Sequence, residues 1–114
     1  MAPKDDSFKV YVESELLREI DGITTRRMFG SFGIYLRGIF IGLIHGGTVY
    51  LKTDDKTQQD YEDLGSRPFT YRKKGKTMTL SFWEVPAAMM DNPSDITVWV
   101  AKAYEAAIRS KKKQ

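Results

Sequence analysis

Apolar residues recur every four positions near the start of the chain. They are Phe8, Val12, Leu16 and Ile20. This spacing places side chains on one face of an α-helix, and Gly22 follows where a helix C-terminal cap is expected. We predict an amphipathic helix from Ser7 to Asp21 whose narrow apolar face lies on a sheet.

Short apolar runs separated by glycine turns come next. The runs are residues 25–29, 32–36, 39–45 and 49–53. Arg37-Gly38 and Gly46-Gly47 form two of the connections, and loops of two residues join antiparallel neighbours. The pattern therefore predicts a meander. Residues 39–44 are apolar on both faces, which predicts an interior strand covered on each side.

The second half of the chain begins with a polar stretch from Asp54 to Leu64, which predicts a short surface helix. Asp54 and Asp55 stand at its start, where carboxylates usually cap free amides. Two strands follow, residues 69–73 and 77–83, joined through Lys74-Gly75. In the second strand apolar residues alternate with polar ones, which predicts one buried face. Trp83 belongs to the other face, either beneath a helix or as an exposed contact residue.

The last helix has the clearest pattern. Asn92 and Pro93 are expected to provide its cap and its first residue. Its apolar stripe consists of Ile96, Trp99, Val100, Ala103, Tyr104, Ala107 and Ile108. Together the elements predict an α+β fold with an antiparallel meander sheet of about five to six strands and flanking helices, in the order α-β(3-4)-α-β(2)-α. We expect a single domain over residues 1–114, with a basic disordered tail at residues 110–114.

Composition narrows the chemistry. The 114 residues include no Cys and a single His, so the ligand sets of structural zinc and iron–sulfur sites and a catalytic thiol are excluded. We expect no metal and no cofactor. The start of the chain resembles neither a signal nor a transit peptide, and residues 39–44 are far short of the roughly 20 apolar residues that a membrane helix needs. We expect a cytoplasmic protein without membrane contact.

Charge is unevenly distributed along the chain. Residues 1–66 hold eight bases and eleven acids, whereas residues 67–114 hold ten bases and four acids. Much of the excess lies in Arg72, Lys73, Lys74 and Lys76 and in the tail. These cations are candidates for contact with nucleic acid or an acidic partner. The alternative, which we favour, is that a turn and a chain end simply solvate lysine well.

Candidate catalytic groups are few. His45 precedes the Gly46-Gly47 turn, where we favour an imidazole bonded to a backbone carbonyl or water over a lone general base. Residues 30–33 lack the Lys-Ser or Lys-Thr pair of a phosphate-binding loop. Arg26 and Arg27 alternate along a strand, so only one of them faces any ligand. We expect no catalytic residues and no enzymatic activity.

Six short segments, taken in order, resemble the N-terminal domain of the TfoX (Sxy) family from about Phe8 to Tyr104. They are Arg27-Met28-Phe29-Gly30, Gly33-x-Tyr35, Gly38-x-Phe40, Tyr50-Leu51-Lys52, Pro68-Phe69-x-Tyr71 and Ser81-Phe82-Trp83-Glu84-Val85-Pro86. Ser31 and Arg37 stand where the family often has glycine and an acid. The resemblance implies helices packed on an antiparallel sheet, similar to the arrangement of type III secretion chaperones.

The resemblance also implies a function. TfoX proteins are bacterial regulators that promote expression of DNA-uptake competence genes alongside the cyclic-AMP receptor protein, and no catalytic residues belong to the family. We therefore expect a non-enzymatic domain that contacts another protein, such as a component of the transcription machinery. The signature residues, with a structural or partner-binding role, are Arg27, Met28, Phe29, Gly30, Gly33, Tyr35 and Gly38.

Two alternatives remain open. One is direct but weak DNA binding through Arg72, Lys73, Lys74, Lys76 and the C-terminal tail. The other is a small-molecule-binding or enzymatic domain, for which Tyr35, Tyr50, Tyr71 and Trp83 are the available side chains.

Overall fold

A computed structural model shows a six-stranded antiparallel sheet with helices packed on one face. The structure describes residues 9–18, 20–28, 30–90 and 92–112. Helix α1 includes a π-helical segment, Val12–Leu16. The other elements are β1 Ile23–Met28, β2 Ser31–Leu36, β3 Ile39–His45, β4 Thr48–Lys52, α2 Gln58–Asp63, β5 Pro68–Lys73, β6 Lys76–Glu84, α3 Ala87–Met90 and α4 Pro93–Lys112. The predicted α+β class and element order are confirmed, with α3 added.

The strands lie in the order β1-β2-β3-β4-β6-β5, and every neighbouring pair is antiparallel. The first four strands form the predicted meander, whereas β6 rather than β5 pairs with β4 and places Trp83 opposite Leu51. In the turn between β2 and β3 both Arg37 and Gly38 have positive φ values, 53° and 83°. Such a turn matches the twist of antiparallel strands.

Helix α4 covers the middle of the sheet, where it contacts β3 and β4. Ile96, Val100, Ala103 and Ala107 of its predicted stripe are buried in the core. The Asn92 side chain accepts a hydrogen bond from the Ser94 amide at 2.9 Å, as the sequence predicts for a helix cap.

Trp83 packs against Tyr61 of helix α2. The Tyr61 ring of α2 lies 6.3 Å from the Trp83 ring and 4.7 Å from the Trp99 ring, measured between centroids. Trp83 is therefore buried beneath a helix, which settles the alternative that the sequence left open.

The first helix ends earlier than predicted, at Leu16. The Leu17 amide donates to the Val12 carbonyl at 2.9 Å, which closes the π-helical turn, and the chain then bends so that Ile23 pairs with Leu36. Strand β1 begins at Ile23, and the residues just before it form the turn that leads from the helix into the sheet. The helix therefore ends before Asp21. Ser7 and Phe8 of the predicted helix lie outside the described residues.

The last helix is longer than predicted. It runs to Lys112, so residues 110–112 are helical and do not form the expected disordered tail. Ser110 and Lys111 of this final turn line a concavity together with Tyr35 and Phe40. Residues 113 and 114 lie outside the described part of the chain. Across the described ranges, no helix has both the length and the apolar character needed to cross a membrane.

Candidate functional site

The face of the sheet opposite the helices is open. Alternation along each strand divides the side chains between two faces, and in the described part of the chain the helices lie on one of them. β3 is therefore an interior strand as predicted, but among the described residues helices cover only one of its two faces. The predicted buried face of β6 is also open at Met78, whose side chain is 39% exposed. An alternating pattern marks a face as apolar, but it does not show whether the same chain covers that face.

A row of aromatic rings crosses this open face. The Phe40 ring lies 5.3 Å from the Tyr35 ring and 5.3 Å from the Phe82 ring. Gly33 lies beneath them, and a Cβ atom at that position would be 3.1 Å from both the Phe40 and Tyr35 rings and 3.2 Å from the Met28 sulfur. Glycine therefore lets these side chains approach the backbone closely.

A second group of side chains surrounds Phe69. Its ring makes edge contacts with Tyr50 at 5.0 Å and with His45 at 5.4 Å. Ser31 Oγ lies 2.5 Å from His45 Nδ1, so the imidazole is held by a hydrogen bond from one side and an aromatic contact from the other. Burial, followed by the nearby Glu84 carboxylate, raises the pKa of Tyr50.

Between these rings the sheet forms a concavity of about 590 Å³, which we call the sheet-face groove. Its lining is mostly apolar. The lining residues are Met28, Ser31, Phe40, Leu43, His45, Phe69, Thr70, Tyr71, Leu80 and Phe82. A neighbouring concavity of about 390 Å³ shares Phe40 and Phe82 and extends to the end of α4. The two concavities therefore meet at the Phe40 and Phe82 rings.

Basic residues lie on the strands that form the groove and its surroundings. The six strands contain six Lys or Arg residues but a single acid, Glu84. The Arg26 guanidinium lies 5.7 Å from the centre of the Tyr35 ring, and the Lys52 ammonium lies 5.3 Å from that of Phe82. Both distances are within the range of cation–π attraction. The face is therefore apolar in its middle and positively charged around it.

The β5–β6 hairpin contains the predicted basic cluster, but its members differ. Arg72 donates hydrogen bonds to Thr77 Oγ1 at 3.2 Å and to the Gly75 carbonyl at 2.8 Å, so it stabilises the hairpin itself. Lys74 occupies the turn with a φ of 51°. Lys73 and Lys76 are paired across the two strands, and both are exposed.

Register places Lys73 and Lys76 on the groove side of the hairpin. Tyr71 pairs with Met78, and side chains two residues apart on a strand share a face. Since Tyr71 lines the groove, the two lysines continue the same face toward the turn. No ion pair engages either ammonium within the described residues.

The structure brings only part of the family signature together. Met28, Gly33 and Tyr35 meet on the open face, at the opposite edge of the sheet from the basic hairpin. Arg27 points the other way, with its guanidinium 4.9 Å from the centre of the Phe32 ring. The remaining residues are Gly30 and Gly38, which occupy turns with φ values of 81° and 83°, and Phe29, which lies outside the described residues.

Several groove residues were missed from the sequence. The apolar pattern predicts Leu43, Leu80 and Phe82 as buried residues; Leu43 and Phe82 are buried, and all three also line the groove, which the pattern does not indicate. The available signal was the run of apolar residues on both faces of β3, which requires cover that the described helices do not supply.

Asp54 accepts hydrogen bonds from free amides as predicted, but in the turn before α2, whose own N-cap Thr57 makes no side-chain capping hydrogen bond. Asp54 Oδ1 accepts hydrogen bonds from the Lys56 and Thr57 amides at 3.0 and 3.2 Å. Arg109 of α4 also donates to its carboxylate, from Nε to Oδ2 at 2.5 Å. The hydrogen bond from Arg109 is the main cause that lowers the pKa of Asp54 to about 2. Among the described residues, no three His, Asp or Glu side chains come together as a metal site.

Comparison with known proteins identifies the family. The model of the TfoX N-terminal domain matches residues 15–107, so the chain belongs to the TfoX N-terminal domain family. It is 22% identical over 103 residues to Protein Sxy of Escherichia coli strain K12, an alignment that covers 90% of this chain and 49% of that protein. It is also 22% identical over 89 residues to DNA transformation protein TfoX1 of Aliivibrio fischeri, covering 78% of this chain and 43% of that protein. The chain thus spans about half the length of these relatives.

Proposed function

We propose that this chain is a non-enzymatic regulatory domain that acts by binding another protein through the sheet-face groove. The observation that carries the proposal is an aromatic, apolar sheet face that no described helix covers. An apolar groove of this kind is one of the recurring sites at which proteins bind a segment of another protein. Among the described residues that line the groove, Ser31 and His45 form a hydroxyl–imidazole pair but no Asp or Glu is present to orient the imidazole, which favours binding over catalysis.

The process regulated by this binding is DNA transformation, in the competence-type manner of the family. This part of the proposal rests on family membership and on the relative named DNA transformation protein TfoX1. The partner is a protein that takes part in transcription, which places the activity in the cytoplasm.

Site-specific crosslinking in the host tests the proposal. A photo-reactive amino acid replaces Tyr71, which is 39% exposed in the groove wall, and in a matched control it replaces Val98, which is 54% exposed on α4. We expect the Tyr71 position to crosslink to a protein that affects expression of DNA-uptake genes. The same purified protein should bind the unmodified chain and bind the Leu80→Ser variant less tightly. A partner crosslinked from Val98 alone would contradict the proposal.

A further inference from the structure

We infer that the sheet-face groove receives an amphipathic helix of the partner protein, with apolar residues along one side and carboxylates at its flanks. The inference rests on the proposed function and adds the chemistry of the segment that binds. It is carried by three features of the open face: the depth of the groove, its apolar lining and the position of its cations.

The groove is shaped for large apolar side chains. Leu43 and Phe82 are 8% and 9% exposed, so they form a buried floor, whereas Tyr71 and Leu80 stand higher in the wall. A volume of about 590 Å³ holds several leucine-sized or phenylalanine-sized groups. An amphipathic helix that inserts residues spaced three and four positions apart is a recurrent solution for such a groove.

On the other face of the same sheet, an amphipathic helix already packs on the strands. There the apolar stripe of α4 covers β3 and β4, with Ile96 and Val100 buried against the strands. A second helix on the open face would complete a helix–sheet–helix sandwich, the layer arrangement in which both faces of a sheet are buried.

The positive charges around the groove favour acidic residues at the flanks of the bound helix. Lys52 lies beside Phe82 of the groove and Arg26 beside the neighbouring Tyr35, whereas Lys73 and Lys76 continue the groove face beyond Tyr71. Glu84 is the single acid of the six strands, and its Oε1 already lies 3.8 Å from Nε of Arg67. Carboxylates on the partner would therefore meet cations that have no ion pair within the described residues, which favours acidic flanks.

The same features disfavour two other occupants. A second copy of the chain would bring one positively charged rim against another, which is repulsive. Single-stranded nucleic acid requires ring faces that are free to stack on bases. Here the aliphatic side chains of Leu43 and Leu80 line the groove between the rings, so the aromatic residues do not form an uninterrupted stacking platform.

Designed peptides test the inference on the full chain. The first peptide is an 18-residue helix with a leucine stripe and glutamate flanks. The second has the same composition in an order that destroys the stripe, and the third replaces every glutamate with lysine. We expect the first peptide alone to bind, with NMR shift changes at the backbone amides of Leu43, Tyr71 and Leu80.

Charge variants then test the rim. Reversing Lys73 and Lys76 together, as Lys73→Glu with Lys76→Glu, should weaken binding of the acidic peptide about tenfold. The matched control is Arg18→Glu with Lys56→Glu, which makes the same change in net charge at two exposed residues away from the groove. The control should stay within about twofold of the unmodified chain. Thermal melts of both variants establish that each is folded.

Other outcomes overturn the inference. Equal binding of the glutamate and lysine peptides, or shift changes confined to the helical face, would show that the groove does not select an acidic helix. Displacement of the peptide by oligothymidylate would assign the face to nucleic acid, and groove-dependent self-association in sedimentation would assign it to a second copy. If the peptides fail but the Tyr71 crosslink still yields its regulatory partner, the proposed function stands without this inference. If the crosslink also fails, both are wrong.

Discussion

At the scale of single residues, two glycines of the sheet differ in the space available for a Cβ atom. A Cβ atom on Gly42 would lie 2.6 Å from the Tyr50 carbonyl oxygen, a backbone atom fixed in the β3–β4 pair. A Cβ atom on Gly33 would instead meet the ends of aromatic and methionine side chains at 3.1 to 3.2 Å. We therefore expect Gly42→Ala to lower the free energy of unfolding by about 2 kcal/mol or more, and Gly33→Ala by less.

Urea unfolding of the two variants measures this difference. Gly33→Ala should also shift NMR signals around the groove because the Tyr35 and Phe40 rings must move. Equal destabilisation by the two substitutions would show that the rings over Gly33 are as rigid as the backbone.

A buried hydroxyl provides a second test at this scale. Tyr61 is 1% exposed, and its hydroxyl has no hydrogen-bond partner among the described residues. An unpaired buried polar group costs about 1 to 3 kcal/mol, so we expect Tyr61→Phe to leave stability unchanged or raise it by up to about 1 kcal/mol. Tyr61→Ala is the contrast, because losing the ring contacts with Trp83 and Trp99 should cost about 3 to 5 kcal/mol. A clear loss of stability in Tyr61→Phe, measured by urea unfolding, would indicate that the hydroxyl is hydrogen-bonded.

At the scale of elements, predictions based on neighbouring residues were confirmed more often than those that needed distant partners. The Arg37-Gly38 turn and the Asn92 cap depend on a few adjacent residues, and both were predicted correctly. The pairing of β4 with β6 depends on where α2 returns the chain, and no local pattern indicates it. The groove also depends on distant partners. The apolar alternation in β6 is the same whether this chain or another protein covers that face, so the sequence does not indicate an open groove.

The ion pair between Asp54 and Arg109 fixes the end of α4 to the segment that follows β4. The pKa of Asp54 is lowered to about 2 from an ordinary value of 3.8, chiefly by the hydrogen bond from Arg109. A lowered folded-state pKa means that the carboxylate stabilises the fold above about pH 4 and that this contribution is lost as the pH falls toward 2. Asp54→Asn should therefore cost about 1 kcal/mol at neutral pH, after screening by solvent, and reduce the loss of stability between pH 4 and pH 2.

Asp60→Asn is the matched control for this pair. Lys102 Nζ lies 2.8 Å from Asp60 and likewise joins α4 to α2, but the Asp60 side chain is 41% exposed compared with 13% for Asp54. Exposed pairs contribute little, so its substitution should change stability less. The prediction on Asp54 fails if thermal melts from pH 7 to pH 2 give parallel curves for Asp54→Asn and the unmodified chain.

At the scale of the whole molecule, acids and bases are distributed differently between the sheet layer and the helical layer, as well as between the two halves of the chain. The sequence comparison of the two halves located the excess of bases after residue 66 but did not relate it to a surface. The structure shows that, of fifteen acids in the chain, Glu84 alone lies in the six described strands. The helical layer contains Asp60 and Glu105 beside its own cations, whereas the sheet layer has cations without matching acids. This separation required the sheet order, which sequence periodicity does not supply.

The same distribution of charge predicts how the molecule meets duplex DNA. Lys73, Lys74 and Lys76 are exposed at one hairpin, but Arg72 is engaged within it, so few cations reach phosphates at once. We expect binding in the 10⁻⁴ to 10⁻⁶ M range typical of non-specific contacts at physiological salt. Replacing Lys73, Lys74 and Lys76 with Gln should change stability by less than about 0.5 kcal/mol, since none of them forms an ion pair among the described residues.

Fluorescence anisotropy over a series of salt concentrations measures this contact. The triple Gln variant should flatten the log–log salt dependence by about one unit for each phosphate contact that it removes. The Arg18→Gln, Lys56→Gln variant provides a control on the helical side and should leave the slope nearly unchanged, because its residues lie away from the hairpin. Sequence-selective binding tighter than about 10⁻⁷ M that disappears in the triple variant would contradict the prediction. The hairpin would then be a direct DNA-recognition element, and the groove would no longer be the main interaction site of the molecule.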